Sequence, residues 1–98
     1  MSFEGTRLGR ALDHVAKERL RQEGMKADGR FRHTCADYEL SNSEKLTILV
    51  EEVGEVAREV LTQDGRRLAH DTAGTPEGLR QELVQVAAVA VAWIEALS

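Results

Sequence analysis

The sequence predicts an all-α fold, with three main helices at about residues 6–23, 42–62 and 76–97 forming a bundle that oligomerisation completes. Three observations carry that expectation. Apolar residues recur at the i, i+3, i+4, i+7 interval of amphipathic helices. Helix-start signals stand before the second and third segments. The last segment is apolar nearly all round, more than three helices of one short chain can cover.

The first segment, Thr6 to Glu23, carries Leu8, Leu12, Val15 and Leu20 as a partial apolar stripe, with Gly24 as its expected stop. A polar connection follows, "GMKADGRFRHTCADYELSNS", whose large anchors are Phe31 and Tyr38. Such a stretch is uncommon in a small domain unless it carries function, so a functional, partly ordered loop is expected. Ser41 with Glu44 three residues on is a capping box and opens the second helix.

That helix contains "KLTILVEEVGEVAREVL". At about 100° per residue, Glu51, Glu52, Glu55 and Glu59 fall within roughly one third of the circumference. Leu46, Leu49, Val53, Val56 and Val60 lie on the other side. Glu51, Glu55 and Glu59 stack like charges at i+4, which is mildly destabilising, so something outside the helix should neutralise them. Gly54 costs about 1 kcal/mol against alanine within a helix, and its place beside the acids suits close approach by another helix. The next piece, "QDGRRLAHDTAG" with Arg66 and Arg67, reads as mobile. Thr75 as N-cap, Pro76 at the first helical position and Glu77 in the first turn then start the third helix. From Leu83 to Leu97 it is rich in valine and alanine, which places it at or near a subunit interface of a homo-oligomer. The alternative is a monomer with an exposed Val/Ala patch.

Bulk properties narrow the function classes. The 98 residues make one domain (1–98), and 42% hydrophobic with 31% charged residues is the balance of a globular chain. A formal charge of −4 argues against a nucleic-acid partner. The single cysteine, Cys35, and the lack of a basic-then-apolar leader point to the cytoplasm. The longest apolar run, Val86 to Ile94, is too short to span a bilayer.

Within the third helix Glu82 and Gln85 stand out. Glu82 shares a face with Val86, Val89 and Trp93, and a carboxylate there is costly unless paired or bound to metal. Two readings follow from the residues alone. In one, Glu82 sits in the exposed first turns and pairs with Arg80 or an arginine of the preceding loop. In the other, it meets Glu52 and Glu55 across the helix interface and the group holds Mg²⁺ or Mn²⁺, hard cations that take oxygen ligands.

"LVEEVGEVAREV", followed 27 residues after Glu55 by "ELVQVAAVAVAWIEAL", resembles the MazG-like all-α nucleoside triphosphate pyrophosphohydrolases. That superfamily also includes dimeric dUTPases and phosphoribosyl-ATP pyrophosphatase. The resemblance covers about residues 44–97, with fainter similarity in "ERLRQEGMKADGRF" to small bacterial and phage members. The family motif, Glu-Glu-x-x-Glu then Glu-x-x-Asp, is met in its first half by Glu51, Glu52 and Glu55; in its second half Gln85 stands where the family has aspartate. The resemblance implies a helical bundle, a dimer or dimer of dimers, and a Mg²⁺ (or Mn²⁺) site. It also implies hydrolysis of a (deoxy)nucleoside triphosphate to monophosphate and pyrophosphate.

On that reading Glu52, Glu55, Glu82 and Gln85 are the metal-ligand candidates and Glu51 orients or deprotonates the attacking water. Lys45 and Arg58, with Arg66, Arg67 and Arg80, are available to the triphosphate. Gln22 is placed to hydrogen-bond the base, and Phe31 or Tyr38 to stack on it, though both aromatics also suit a role as loop anchors. Glutamine ligates a hard cation more weakly than aspartate, so Gln85 puts turnover in question, and Glu59 is placed one turn on to compensate. His14 reads as a surface residue, and His33 with Cys35 does not complete a zinc set. Two alternatives stand beside the enzyme: a catalytically impaired nucleotide- or metal-binding homologue, and a helical dimerisation module whose acidic face meets a basic protein partner.

Overall fold

A computed structural model of the chain describes residues 2–63 and 75–98. Three α-helices follow in order, α1 (Arg7–Ala27), α2 (Asn42–Leu61) and α3 (Pro76–Ala96). No strand occurs among the described residues. α3 is the central element and packs against both α2 and α1, whereas the two outer helices do not pack on one another. The fold is therefore all-α and open, with a cleft between α1 and α2 that α3 floors and the connection at 28–41 partly covers.

Local chemistry explains the helix ends. The Thr6 hydroxyl accepts from the Gly9 amide at 2.9 Å and starts α1. At α2 the Glu44 amide donates to the Ser41 hydroxyl at 3.1 Å, and the Ser41 amide donates back to the Glu44 carboxylate at 3.0 Å, so the expected capping box is present. Thr75 caps α3 by accepting from the Gly78 amide at 2.9 Å, with Pro76 behind it. α1 runs one turn past its expected stop. Gly24 stays helical, and the chain turns instead at Gly29, whose φ of +85° lies in the left-handed region open to glycine. An ion pair from Lys26 to Asp37 and a bond from the Phe31 amide to the Met25 carbonyl at 3.0 Å hold that extra turn.

The inward faces differ from the expected stripes. On α1, Leu8, Leu12 and Leu20 are exposed, while Arg19 and Gln22 are buried. Arg19 is the hub there: its guanidinium donates to Glu95 of α3 at 2.6 Å, to Glu23 at 2.9 Å and to Gln22 at 3.0 Å. A charge taken out of water in this way is retained because each of its donors has an acceptor. On α2, Ile48, Leu49, Glu52, Val56 and Glu59 turn inward, and Leu46, Val50, Val53 and Val60 are left exposed. α2 is thus rotated about its axis relative to the apolar stripe, bringing part of its acidic face toward α3.

The buried core consists of Cys35, Val89 and Ala92, with Ala36, Ile48, Leu49 and Trp93 packed around it. Trp93 donates from its indole to Asn42 at 3.0 Å and ties α3 to the start of α2. Among the described residues no large side chain is fully buried, and α3 leaves Leu83, Val91, Ile94 and Leu97 exposed. No helix among them is long and apolar enough to cross a membrane. The connection is anchored differently from expectation. Tyr38 is 83% exposed and anchors nothing; buried Thr34 and Cys35 do so instead. Thr34 donates from its hydroxyl to Glu23 at 2.7 Å and from its amide to Asp37 at 3.0 Å. The stretch expected to be mobile, with Arg66 and Arg67, lies outside the described residues except at Gln63.

Candidate functional site

α2 and α3 bring Glu52 and Glu82 within electrostatic reach of one another. Glu52 and Glu82 are half-buried, Glu59 is buried, and Glu51 and Glu55 are exposed. The Glu52 carboxyl is pushed above the usual glutamate range, first by burial and then by the charges of Glu82, Glu55, Glu51 and Glu18. Glu82 is raised in the same way by burial and by Glu55 and Glu59, with Arg58 pulling in the opposite direction. Among the described residues Glu52, Glu55 and Glu82 take part in no ion pair, so the expected Arg80–Glu82 pair is not formed. Neighbouring charges thus oppose the ionisation of Glu52 and Glu82, the electrostatic state that a bound cation relieves.

The donor chemistry suits a hard divalent cation, since it consists of carboxylate oxygens plus the Gln85 amide. Its geometry is not that of a closed ligand sphere. Among the described residues no three His, Cys, Asp or Glu side chains are gathered closely enough to hold a metal ion. Gln85 also lies near Glu18 of α1, whose ionised form its amide favours.

Beside the acids lies a cavity of about 240 Å³ within the cleft, lined by all three helices and the connection. Gln22, Phe31, Glu52 and Gln85 meet there, together with Arg21 and Val89. Four residues expected from the sequence to touch nucleotide or metal are therefore brought to one cavity. The Gln22 amide is held in a fixed orientation, accepting from Arg19 at 3.0 Å and donating to Glu18 at 3.4 Å. Cys35 also lines this cavity, its thiol raised mainly by burial.

Other expected contacts fall elsewhere. Lys45 is buried, at 3% exposure, beneath the connection and beside Cys35, and it does not line the cavity. Arg58 is exposed and lies near Glu82, again outside the cavity.

Comparison with protein-family models, curated proteins and solved structures returns no match. The chemistry of the site therefore rests on its own residues.

A second cavity, of about 520 Å³, opens between α1 and α3 and shares Arg21 and Gln85 with the first. His14, Lys17, Glu18 and Arg21 line it from α1, and Arg80 and Glu82 from α3. Arg21 forks onto Glu18 through two bonds of 2.8 Å, which holds the Glu18 carboxyl below the usual glutamate range. These α1 residues are absent from the set expected from the sequence. The signal was present: positions 14, 17, 18 and 21 share one helical face.

Proposed function

We propose that this chain is a metal-dependent nucleotide pyrophosphohydrolase of MazG-like type, cleaving a (deoxy)nucleoside triphosphate to monophosphate and pyrophosphate. The supporting observation is that half-buried Glu52 on α2 and Glu82 on α3 lie within electrostatic reach and without an ion pair among the described residues, beside a cavity that carries Gln22 and Phe31. Glu52, Glu55 and Glu82 would hold Mg²⁺ or Mn²⁺, with Gln85 as a neutral donor. When bound, the ion supplies charge neutralisation on the phosphate oxygens. Loading it requires the carboxylates to rotate toward one another. Phe31 offers a face for the base, the fixed Gln22 amide and the buried Val89 wall orient it, and exposed Glu51 is free to take a proton from water. The working unit is a homo-oligomer, which covers the apolar residues that α2 and α3 leave exposed.

A second reading is favoured by a specific observation. Gln85 stands where a fourth carboxylate would complete the cluster and brings no charge to it, the arrangement of a homologue that binds nucleotide without turning it over. One experiment separates the two. Pyrophosphate release is measured from a panel of nucleoside triphosphates with Mg²⁺ and Mn²⁺. The enzyme reading expects release that falls at least about a hundredfold in Glu52→Ala. Binding without release from the wild type selects the second reading, and release undiminished in Glu52→Ala removes the acids from the reaction.

A further inference from the structure

The α1–α3 cavity has a charge pattern that the acid pair does not explain. Three cationic side chains, Lys17, Arg21 and Arg80, line it in a chain whose net charge is −4. Arg21 is committed to Glu18. Lys17 and Arg80, with the His14 imidazole, take part in no hydrogen bond or ion pair among the described residues. They project into one concave space from two helices instead of spreading over a convex surface. A concave site lined by uncommitted cations concentrates anions.

We propose that this cavity binds a polyphosphate chain. Its cations stand on opposite walls, so one carboxylate satisfies only one of them, whereas linked phosphates carry several charged oxygens over the needed span. A continuous nucleic-acid backbone is disfavoured by the acidic whole, whose net charge is −4. Position supplies the second argument. Arg21 and Gln85 line both cavities, so a phosphate chain here is continuous with a nucleoside lying against Phe31, and the Glu52–Glu82 pair sits between them. The inference rests on the nucleotide reading for that direction and adds to it the place and contacts of the tail.

The test is calorimetric titration of the full chain with inorganic tripolyphosphate in the presence of Mg²⁺. It compares wild type, the double variant Lys17→Ala/Arg80→Ala, and Arg32→Ala, which removes one positive charge away from the cavity. Lys17, Arg80 and Arg32 are exposed, so circular dichroism should match across the set. The expected result is binding by wild type, weakening at least about tenfold in the double variant and less than about twofold in Arg32→Ala, with strong salt sensitivity. No binding by wild type, or an equal loss in Arg32→Ala, overturns the proposal. Pyrophosphate release keeps the two readings apart. Cavity-dependent tripolyphosphate binding with no turnover of any nucleotide sinks hydrolysis alone. Turnover whose KM is unchanged in the double variant sinks the polyphosphate site alone.

Discussion

At the scale of single residues, Glu52 is the most informative side chain because its surroundings oppose its charge. Burial and four neighbouring glutamates raise its pKa above the ordinary value of 4.5. A carboxyl raised on folding binds its proton more tightly in the native than in the unfolded chain. Its contribution to stability is therefore full below the unfolded pKa and is lost as pH rises through the folded one. Glu52→Gln is accordingly expected to unfold at a higher temperature than wild type at pH 7, with the gap closing toward pH 4. The groups with lowered pKa values, Glu18 beside Arg21 and Asp37 beside Lys26, behave oppositely and lose stability in acid. They are present in both proteins, so the difference between the two melting curves isolates Glu52. Added Mg²⁺ is expected to raise wild type more than the variant at pH 7. A gap independent of pH would remove the repulsion argument. This residue was legible in the sequence through its spacing, and so were Glu55 and Glu82. The proximity of Gln85 to Glu18 was not, because no local pattern reports on side chains 67 positions apart.

At the scale of elements, helix starts were legible and helix faces were not. Ser41 with Glu44, and Thr75 with Pro76, act within one turn of themselves, so their spacing in the chain is enough to place the ends of α2 and α3. The face a helix presents depends on its neighbours. α1 shows Leu8 and Leu12 to the outside and buries Arg19, because Glu95 on α3 supplies the matching charge. Two helical glycines put the same distinction to work. A methyl group at Gly54 meets nothing within 4 Å. Gly54→Ala should therefore gain about 1 kcal/mol of helix propensity and raise the melting temperature by several degrees. A methyl at Gly78 falls 2.7 Å from Glu59 Oε1 and 3.1 Å from Thr75 Oγ1. Glu59 is buried and has little room to give, so Gly78→Ala should lower stability by about 1 kcal/mol despite its better propensity. Thermal unfolding of both variants checks the opposite signs. A loss at Gly54 would mean that a partner helix lies against it, the close approach its position beside the acids suggests.

At the scale of the whole molecule, the distribution of apolar surface is the dominant fact. Leu46, Val50, Val53 and Val60 on α2, and Leu83, Val91, Ile94 and Leu97 on α3, are each at least 38% exposed in the single chain, while its buried apolar core amounts to small side chains and one valine. Burying a side chain of this size contributes about 1.5–3 kcal/mol. A surface that leaves so many uncovered is one that association would stabilise. The sequence already suggested this, since α3 is apolar on more sides than two neighbouring helices cover. Where the partner sits is a separate question, and substitution answers it. Val50→Asp/Val53→Asp places two charges on the outward stripe of α2, far round the helix from Glu52 and Glu59, and leaves the core untouched. Wild type is expected to sediment as a dimer or larger assembly at micromolar concentration. The double variant should dissociate, with Kd raised at least about a hundredfold, because two apolar contacts are lost and two carboxylates would have to be desolvated to restore them. If the α2 stripe is the interface, helicity by circular dichroism survives while pyrophosphate release falls in proportion to the monomer fraction. A wild type that sediments as a monomer removes the oligomer. An assembly indifferent to both aspartates moves the contact to the Leu83, Val91, Ile94 and Leu97 face of α3, where Ile94→Asp then becomes the decisive substitution.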